Sequence, residues 1–443
     1  MRIAIISVGS RGDVQPYVAL GAGLRAAGHD AWLATYPHFE RFVTRHGVAF
    51  RGVANPFHEL SRTDAWAAWH RSGNRPIRFT FLLRRILHAG RACFVRLFDD
   101  AWRASQDADA IVYPTAGLGG PDIAEKLGIP GYWAHLYPAG RTTEFPCFAG
   151  PTRLGLGGRC NQLTYAIASQ VYRRIVGPAL EDWRQSSLKL PPRRRAGAFD
   201  PFGACDDPVL YGFSPTVVPK PRDWSDTRHV TGYWFLPGGD EWQPSDRLAA
   251  FLAGGPPPIF VSAESLGGDR RLLRQLVIDG PRRVGCRLIV QARNSTELAQ
   301  WSADVFVTGD ELPHPWLFPR VRAVVHHGGA GTVAAALAAG VPSVGVPAFF
   351  DQPFWSRRLF EMGVSPPPIP LRRLTLDRLL SALSRLAGDE SLKTRAACVG
   401  AVVRAEAGVS TAVEILCRDL ATRGFSASPR AAFGQRSSCS SSC

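Results

Sequence analysis

The chain has 443 residues, 45% of them hydrophobic and 20% charged, which excludes a disordered, collagenous or coiled-coil protein. At about 100–200 residues per domain, the length predicts two domains. The formal charge of +15 favours anionic partners, and arginine carries almost all of it, since lysine occurs only at positions 126, 189, 220 and 393.

Nucleic acid is not the expected partner. The arginines are spread along the whole chain, and no zinc-finger or RNP spacing occurs. An anionic substrate or a membrane surface fits better. The nine cysteines are scattered without a C-x-x-C pair, so they read as reduced thiols. No run approaches the roughly 20 apolar residues of a spanning helix, and the N-terminus lacks a signal-peptide pattern. The expected location is the cytoplasm, with peripheral contact at the inner face of the membrane as a second option.

In chain order, Ile3–Val8 reads as a strand and Gly9-Ser-Arg-Gly-Asp13 as a loop. Val14–Ala27 follows as a helix, with Pro16 in its first turn and Gly28 ending it. Ala31–Thr35 and Ala110–Tyr113 are strands. A helix around Asp122–Leu127 precedes the strand Gly131–His135. Proline and turn residues dominate positions 214–242, which marks a linker. A second rhythm has strands at Ile259–Ser262, Arg287–Gln291, Asp304–Val307, Ala323–His326 and Val341–Val346, with a helix over Val333–Ala339. This is an α/β fold of two doubly wound domains, 1–235 and 243–425, followed by a Ser-rich tail over 426–443 expected to be disordered. A ligand belongs in the cleft at the strand C-termini.

Two glycine-rich turns invite a dinucleotide reading. Neither carries G-x-G-x-x-G with an acidic residue to hold ribose, and no P-loop motif occurs. Asp107-Ala-Asp109 reads as a solvated turn, because a hard cation needs more oxygen ligands. His326-His-Gly-Gly-Ala-Gly-Thr332 is the most informative stretch. Its small residues admit a ligand close to the backbone, and it opens a helix whose N–H groups face an anion. Asp351-Gln352 follows the next strand and returns to the same cleft edge. A carboxylate and an amide suit sugar hydroxyls.

These residues resemble a known family. HHGGAGT followed by Phe350-Asp-Gln-Pro is similar to the donor signature of nucleotide-sugar-dependent glycosyltransferases of the GT-B fold. GSRGDVQPYVALGAGLRAAGH resembles the acceptor-domain start of their bacterial antibiotic and sterol glucosyltransferase branch. The 214–235 segment and Leu312-Pro-His-Pro-Trp-Leu-Phe318 are similar to that branch too. The resemblance implies a GT-B fold and transfer of a hexose from a UDP- or dTDP-sugar to a hydroxyl of a lipophilic, sterol-like acceptor. No metal or other cofactor is implied.

Carried over by position, the resemblance makes Asp13 the general base and sends Arg11 toward the donor phosphates. His326 would bond the diphosphate with Gly328, Gly329, Ala330, Gly331 and Thr332. Ser265 would touch phosphate, Leu312 and His314 would border the base, and Asp351 and Gln352 would hold the sugar. One motif departs from the family: Ser262-Ala-Glu-Ser265 stands where Gly-Phe-Gly-Ser is usual, and Glu264 would repel a diphosphate unless it turns away or is paired. That departure keeps a second reading open, a catalytically silent GT-B protein that binds a nucleotide sugar or activates a partner. Asp13 has a rival role as a helix N-cap, and His29, His46 and His135 are rival bases. On the acceptor side, the basic, apolar stretch 78–96 and Trp66, Trp69 and Trp133 are candidates for a greasy pocket.

Overall fold

The structure, a computed structural model, describes residues 1–55, 91–115, 117–150, 157–193, 202, 208–236, 242–292 and 302–425. Trp66, Trp69, the tail 426–443 and most of the stretch 78–96 lie outside the described residues.

Short runs of β-branched and aliphatic residues build two all-parallel sheets. The first joins β1 (Arg2–Ile6), β2 (Asp30–Thr35), β3 (Ala49–Gly52), β4 (Ala110–Tyr113), β5 (Gly131–His135), β6 (Val209–Tyr211) and β7 (Arg228–Val230) in the order β3-β2-β1-β4-β5-β6-β7. The second joins β8 (Ile259–Ser262), β9 (Leu288–Gln291), β10 (Val305–Thr308), β11 (Ala323–His326) and β12 (Ser343–Gly345) in the order β10-β9-β8-β11-β12. Helices cover both faces, so the strands are buried on both sides, as parallel sheets require. Along β8 the two faces separate cleanly: Ile259 and Val261 enter one core, while Phe260 enters the other with Leu317 and Phe318.

Both strand orders reverse direction once, between β1 and β4 and between β8 and β11. Such switch points open a crevice beyond the strand C-termini. β1 feeds the loop that leads to Asp13. β8 and β11 run in register, Val261 opposite Val325, so the Ser262–Ser265 and His326–Thr332 segments leave the sheet side by side.

The first helix runs Arg11–Ala26, three residues earlier than its apolar spacing suggests. Ser10 starts it as the N-cap, so Pro16 lies inside the helix rather than in its first turn. Gly28 ends it in the left-handed region (φ 84°), where His29 N donates to Leu24 O at 3.0 Å.

The two domains are joined twice. The linker passes Gly232, and the chain returns at Glu406, which accepts from the hydroxyls of Ser214 (2.5 Å) and Thr216 (3.2 Å). The last helix, Gly408–Thr422, then lies on the first domain: Tyr132 Oη donates to Asp419 at 2.7 Å, and Cys417 sits 3.1 Å from His29. By length and composition the segment Glu390–Thr422 is apolar enough to cross a membrane, contrary to the expectation from sequence. It is two helices broken at Glu406–Ala407, and Ala396, Val403, Ala412, Leu416 and Leu420 are buried in a core cluster shared by the two domains.

Asp107 and Asp109 sit before β4, at the opposite end of the sheet from Asp13. Asp107 takes a fork from Arg51, and Asp109 pairs with Arg2 at 2.7 Å.

Candidate active site

Three helix N-termini converge on the cleft. They begin the helices Arg11–Ala26, Ala330–Ala339 and Gln352–Glu361. A Cβ added at Gly331 would stand 3.2 Å from Gly12 Cα, so the two domains touch at these helix starts. Aligned peptide dipoles and unpaired first-turn N–H groups make this a place for an anion.

Asp13 is the third residue of its helix, and its carboxylate folds back on Ser10. Oδ2 accepts from Ser10 N at 2.8 Å and from Ser10 Oγ at 2.7 Å. The cap is therefore Ser10, and Asp13 is the reciprocal half of a capping box. Capping and proton transfer are thus compatible, because Oδ1 bonds to nothing among the described residues. Gly9, at φ 138°, makes room for the carboxylate: any Cβ there would meet Asp13 Oδ2 at 2.6 Å. Asp13 is solvent-accessible at the floor of the cleft, yet protein surrounds it. Desolvation raises its pKa, against the Ser10 bonds and the nearby His327, which lower it. A raised carboxylate is a stronger base.

The rival histidines are not placed for this role. His135 is buried, its Nδ1 is 2.7 Å from Thr115 Oγ1, and desolvation holds its pKa near 3. His29 lies against Cys417 on the last helix, and His46 is bonded by Arg45.

The two loop histidines divide differently from the expectation. His326 is the last residue of β11 and fully buried. Its Nδ1 accepts from Gly328 N at 2.9 Å, so Nε2 carries the proton and faces Ser343 Oγ at 3.0 Å. Both nitrogens are used, and burial holds the ring neutral with a pKa of about 3. The diphosphate role expected of His326 is therefore corrected: the ring shapes the loop from within. Gly328 completes that shape at φ 90°, where a side chain would collide with Ser356 Oγ and Gln352 O. His327 is the ring at the cleft, half-buried and folded over Gly329. Burial lowers its pKa, while Glu264 and Asp13 raise it. His327 and Glu264 thus lie close enough to interact, although burial holds the ring below its ordinary pKa.

Asp351 accepts from Trp355 Nε1 at 3.0 Å and from the backbone N–H of Ala330. That N–H is consequently taken, and Gly331 and Thr332, both half-buried, carry the remaining donors of the first turn. Desolvation, then repulsion from Asp13, pushes the Asp351 pKa up to about 7. Gln352 accepts through Oε1 from Ala348 N (2.9 Å) and Phe349 N (3.4 Å), so it offers a ligand only its amide nitrogen.

The raised carboxyl has a stability consequence. Folded Asp351 keeps its proton up to about pH 7, whereas the unfolded chain releases it near 3.8, so stability falls as pH rises across that window. Asp351→Asn is expected to raise the ligand-free thermal midpoint relative to wild type at pH 8 and to change it little at pH 3.5. Equal midpoints at pH 8 would show that no such penalty exists.

Arg11 reaches across the domain boundary to Glu311 at 3.6 Å and lies 4.9 Å from the Phe42 ring, instead of pointing only toward phosphates. His314 stacks on Phe318 with ring centres 4.4 Å apart, and Leu312 is buried beside it. Burial lowers His314 to a pKa of about 4, so the ring stays neutral near pH 7. The Ser265 hydroxyl is buried without a partner among the described residues.

Sequence reasoning missed the aromatic wall. Tyr137 and Phe148 have ring centres 4.2 Å apart, and Phe350 meets them edge-on at 5.3 and 5.2 Å. Tyr137 lies close enough to Asp13 and Asp351 for both to raise its pKa, so the wall adjoins the carboxylates. Trp133 is buried against Tyr113 and His135 as part of the core.

Two facing parallel-sheet domains with this crevice define a GT-B protein. Its first part, residues 3–146, matches the glycosyltransferase family 28 N-terminal domain, and residues 276–416 match the C-terminal domain of erythromycin biosynthesis protein CIII-like proteins. The chain is 35% identical over 95% of its length to a sterol 3-beta-glucosyltransferase of Cryptococcus neoformans var. neoformans serotype D, and 34% identical to one of Neosartorya fischeri. It spans only 27% and 30% of those relatives' lengths. Among solved structures, the glycotransferase of kitacinnamycin superposes with a TM-score of 0.67 at 20% identity, covering 95% of this chain and 99% of that one. The glycosyltransferase VinC in complex with dTDP gives 0.63 at 20%, covering 96% and 100%. The chain therefore has the GT-B fold, with a glycosyltransferase family 28 N-terminal domain match in its first part, and it is similar to the UDP-glycosyltransferase branch of that fold.

Proposed function

We propose that this chain is an inverting hexosyltransferase that moves a sugar, glucose by analogy with its relatives, from a UDP- or dTDP-sugar to a hydroxyl of a lipophilic, sterol-like acceptor. The observation that carries the reading is the placement of Asp13: one oxygen anchored by Ser10, the other unbonded among the described residues, at the point where the first helix meets the glycine loop. The sterol glucosyltransferase relatives support the acceptor class, and the solved complex of VinC with dTDP supports a nucleotide diphosphate.

In this reading Asp13 Oδ1 takes the acceptor's hydroxyl proton. The acceptor oxygen forms a bond to the anomeric carbon as the bond from that carbon to the diphosphate oxygen breaks. The electron pair leaves on the diphosphate. His327 and the first-turn N–H groups of Gly331 and Thr332 stabilise that charge by donating hydrogen bonds, as preorganised donors do. The reading assigns no metal. Asp351 and the Gln352 amide hold the sugar, and the neutral His314 borders the base with Leu312. The Arg11–Glu311 pair spans the two domains.

A thermal-shift series with UDP, dTDP, GDP and their glucose conjugates tests the donor half. A ligand of the folded state raises the midpoint by mass action, by about 2.7 kcal/mol of stability at a hundredfold excess over Kd. One nucleotide series is expected to shift the midpoint at millimolar concentration. No shift from any of them would favour a protein whose Glu264-bearing loop has lost its donor.

A further inference from the structure

We propose that Phe350 is the acceptor-selecting side chain of this protein, a donor-domain residue whose open face packs against the flat apolar body of the acceptor. The inference rests on the glycosyltransferase reading and names a determinant of its specificity.

Three observations carry it. Phe350 holds φ at 58°, the left-handed region, which is a genuine outlier for a bulky residue and one that glycine would occupy without strain. Such strain persists where the surroundings over-determine it, and it collects at ligand-contacting positions. Its ring crosses the domain boundary to meet Tyr137 and Phe148 edge-on. Even so, it remains 43% exposed, one of the few large apolar side chains on the described surface. A ring serving only to glue the domains would be covered. This one keeps part of its surface uncovered while standing immediately before Asp351, and Tyr137 beside it senses both Asp351 and Asp13. An acceptor whose hydroxyl lies at Asp13 would therefore place its carbon skeleton on the surface made by Phe350, Tyr137 and Phe148. Edge and face contacts of this kind favour a rigid, fused-ring alcohol over a small or flexible one. Because the ring comes from the donor domain, it also ties acceptor binding to the closed arrangement of the two domains.

The test compares Phe350→Gly, Phe350→Tyr and wild type in the full chain. The thermal midpoint, UDP and dTDP affinity, and kcat and KM are measured for a polycyclic alcohol such as cholesterol and for a small phenol. The glycine variant is expected to keep or raise the midpoint, because its backbone strain is relieved, and to bind nucleotide within about twofold of wild type. Its KM for the polycyclic alcohol should rise about tenfold or more, and its preference over the phenol should collapse. The tyrosine variant should restore both. A stable glycine variant with wild-type KM and unchanged preference would overturn this proposal while leaving the glycosyltransferase reading intact. Absence of transfer by the wild type to either acceptor, with nucleotide bound, would overturn that reading and this proposal with it.

Discussion

Replacing Asp13 by asparagine is expected to lower acceptor-dependent release of nucleoside diphosphate by about 10²- to 10⁴-fold, the range that a positioned general base supplies. The amide is nearly isosteric with the carboxylate. Its oxygen can still accept from Ser10 N and Ser10 Oγ, so the start of the first helix survives. What is lost is the basic oxygen that bonds to no group among the described residues. Donor affinity in the variant should match wild type, as read by the nucleotide-induced thermal shift. Asp13→Ala is the less clean substitution, because it also removes the cap partner at a cost of about 1 kcal/mol. An Asp13→Asn variant that retained turnover within about tenfold of wild type would remove Asp13 from the chemistry and return it to a purely structural role.

The second large effect separates the paired histidines. His326→Ala should behave as a folding variant. It empties a fully buried site, strips the Gly328 N–H of its acceptor and leaves Ser343 without its partner. The expected cost is about 2–4 kcal/mol, seen as a midpoint lower by several degrees. His327→Ala should do the reverse. Its half-buried ring contributes little to the core, so the midpoint should stay near wild type. Affinity for the nucleoside diphosphate should fall about tenfold or more, the worth of one hydrogen bond to a charged group. The two measurements, thermal midpoint and diphosphate affinity, cross between the two variants. The opposite pattern would put His326 on the ligand and undo the assignment.

The strands were legible because they are short runs of aliphatic, β-branched or aromatic residues set between turn-forming or polar segments. Ala110–Tyr113, Gly131–His135, Ile259–Ser262 and Ala323–His326 have the same limits in the structure as in the sequence pattern. Helix starts were read late. The capping box at Ser10 and Asp13 and the glycine start at Gly329 draw the helices upstream of their first apolar residues, and periodicity does not register polar or glycine residues. The cleft carboxylates and glycine loop were legible as well, since their chemistry is local. The histidine assignment was not. It depends on where β11 ends: His326 still pairs in the sheet opposite Gly345, and His327 is the first residue beyond it. A one-residue shift in a strand limit decides which ring faces in. Phe350 and Tyr137 could not be joined from sequence, because they lie far apart along the chain and only the meeting of the two domains brings them together. The lone signal for Phe350 is its place just before Asp351 in a tight loop.

The most direct test of the central claim is the configuration of a product. The protein is incubated with α-configured UDP-glucose, and separately with dTDP-glucose, in the presence of a sterol, and the purified glycoside is examined by proton NMR alongside the released nucleotide. The account predicts a β-glucoside, with one nucleoside diphosphate released per glucoside and both formed at least about a hundredfold more slowly by the Asp13→Asn variant. An α-glucoside, or nucleotide binding with no glucoside at all, would contradict it.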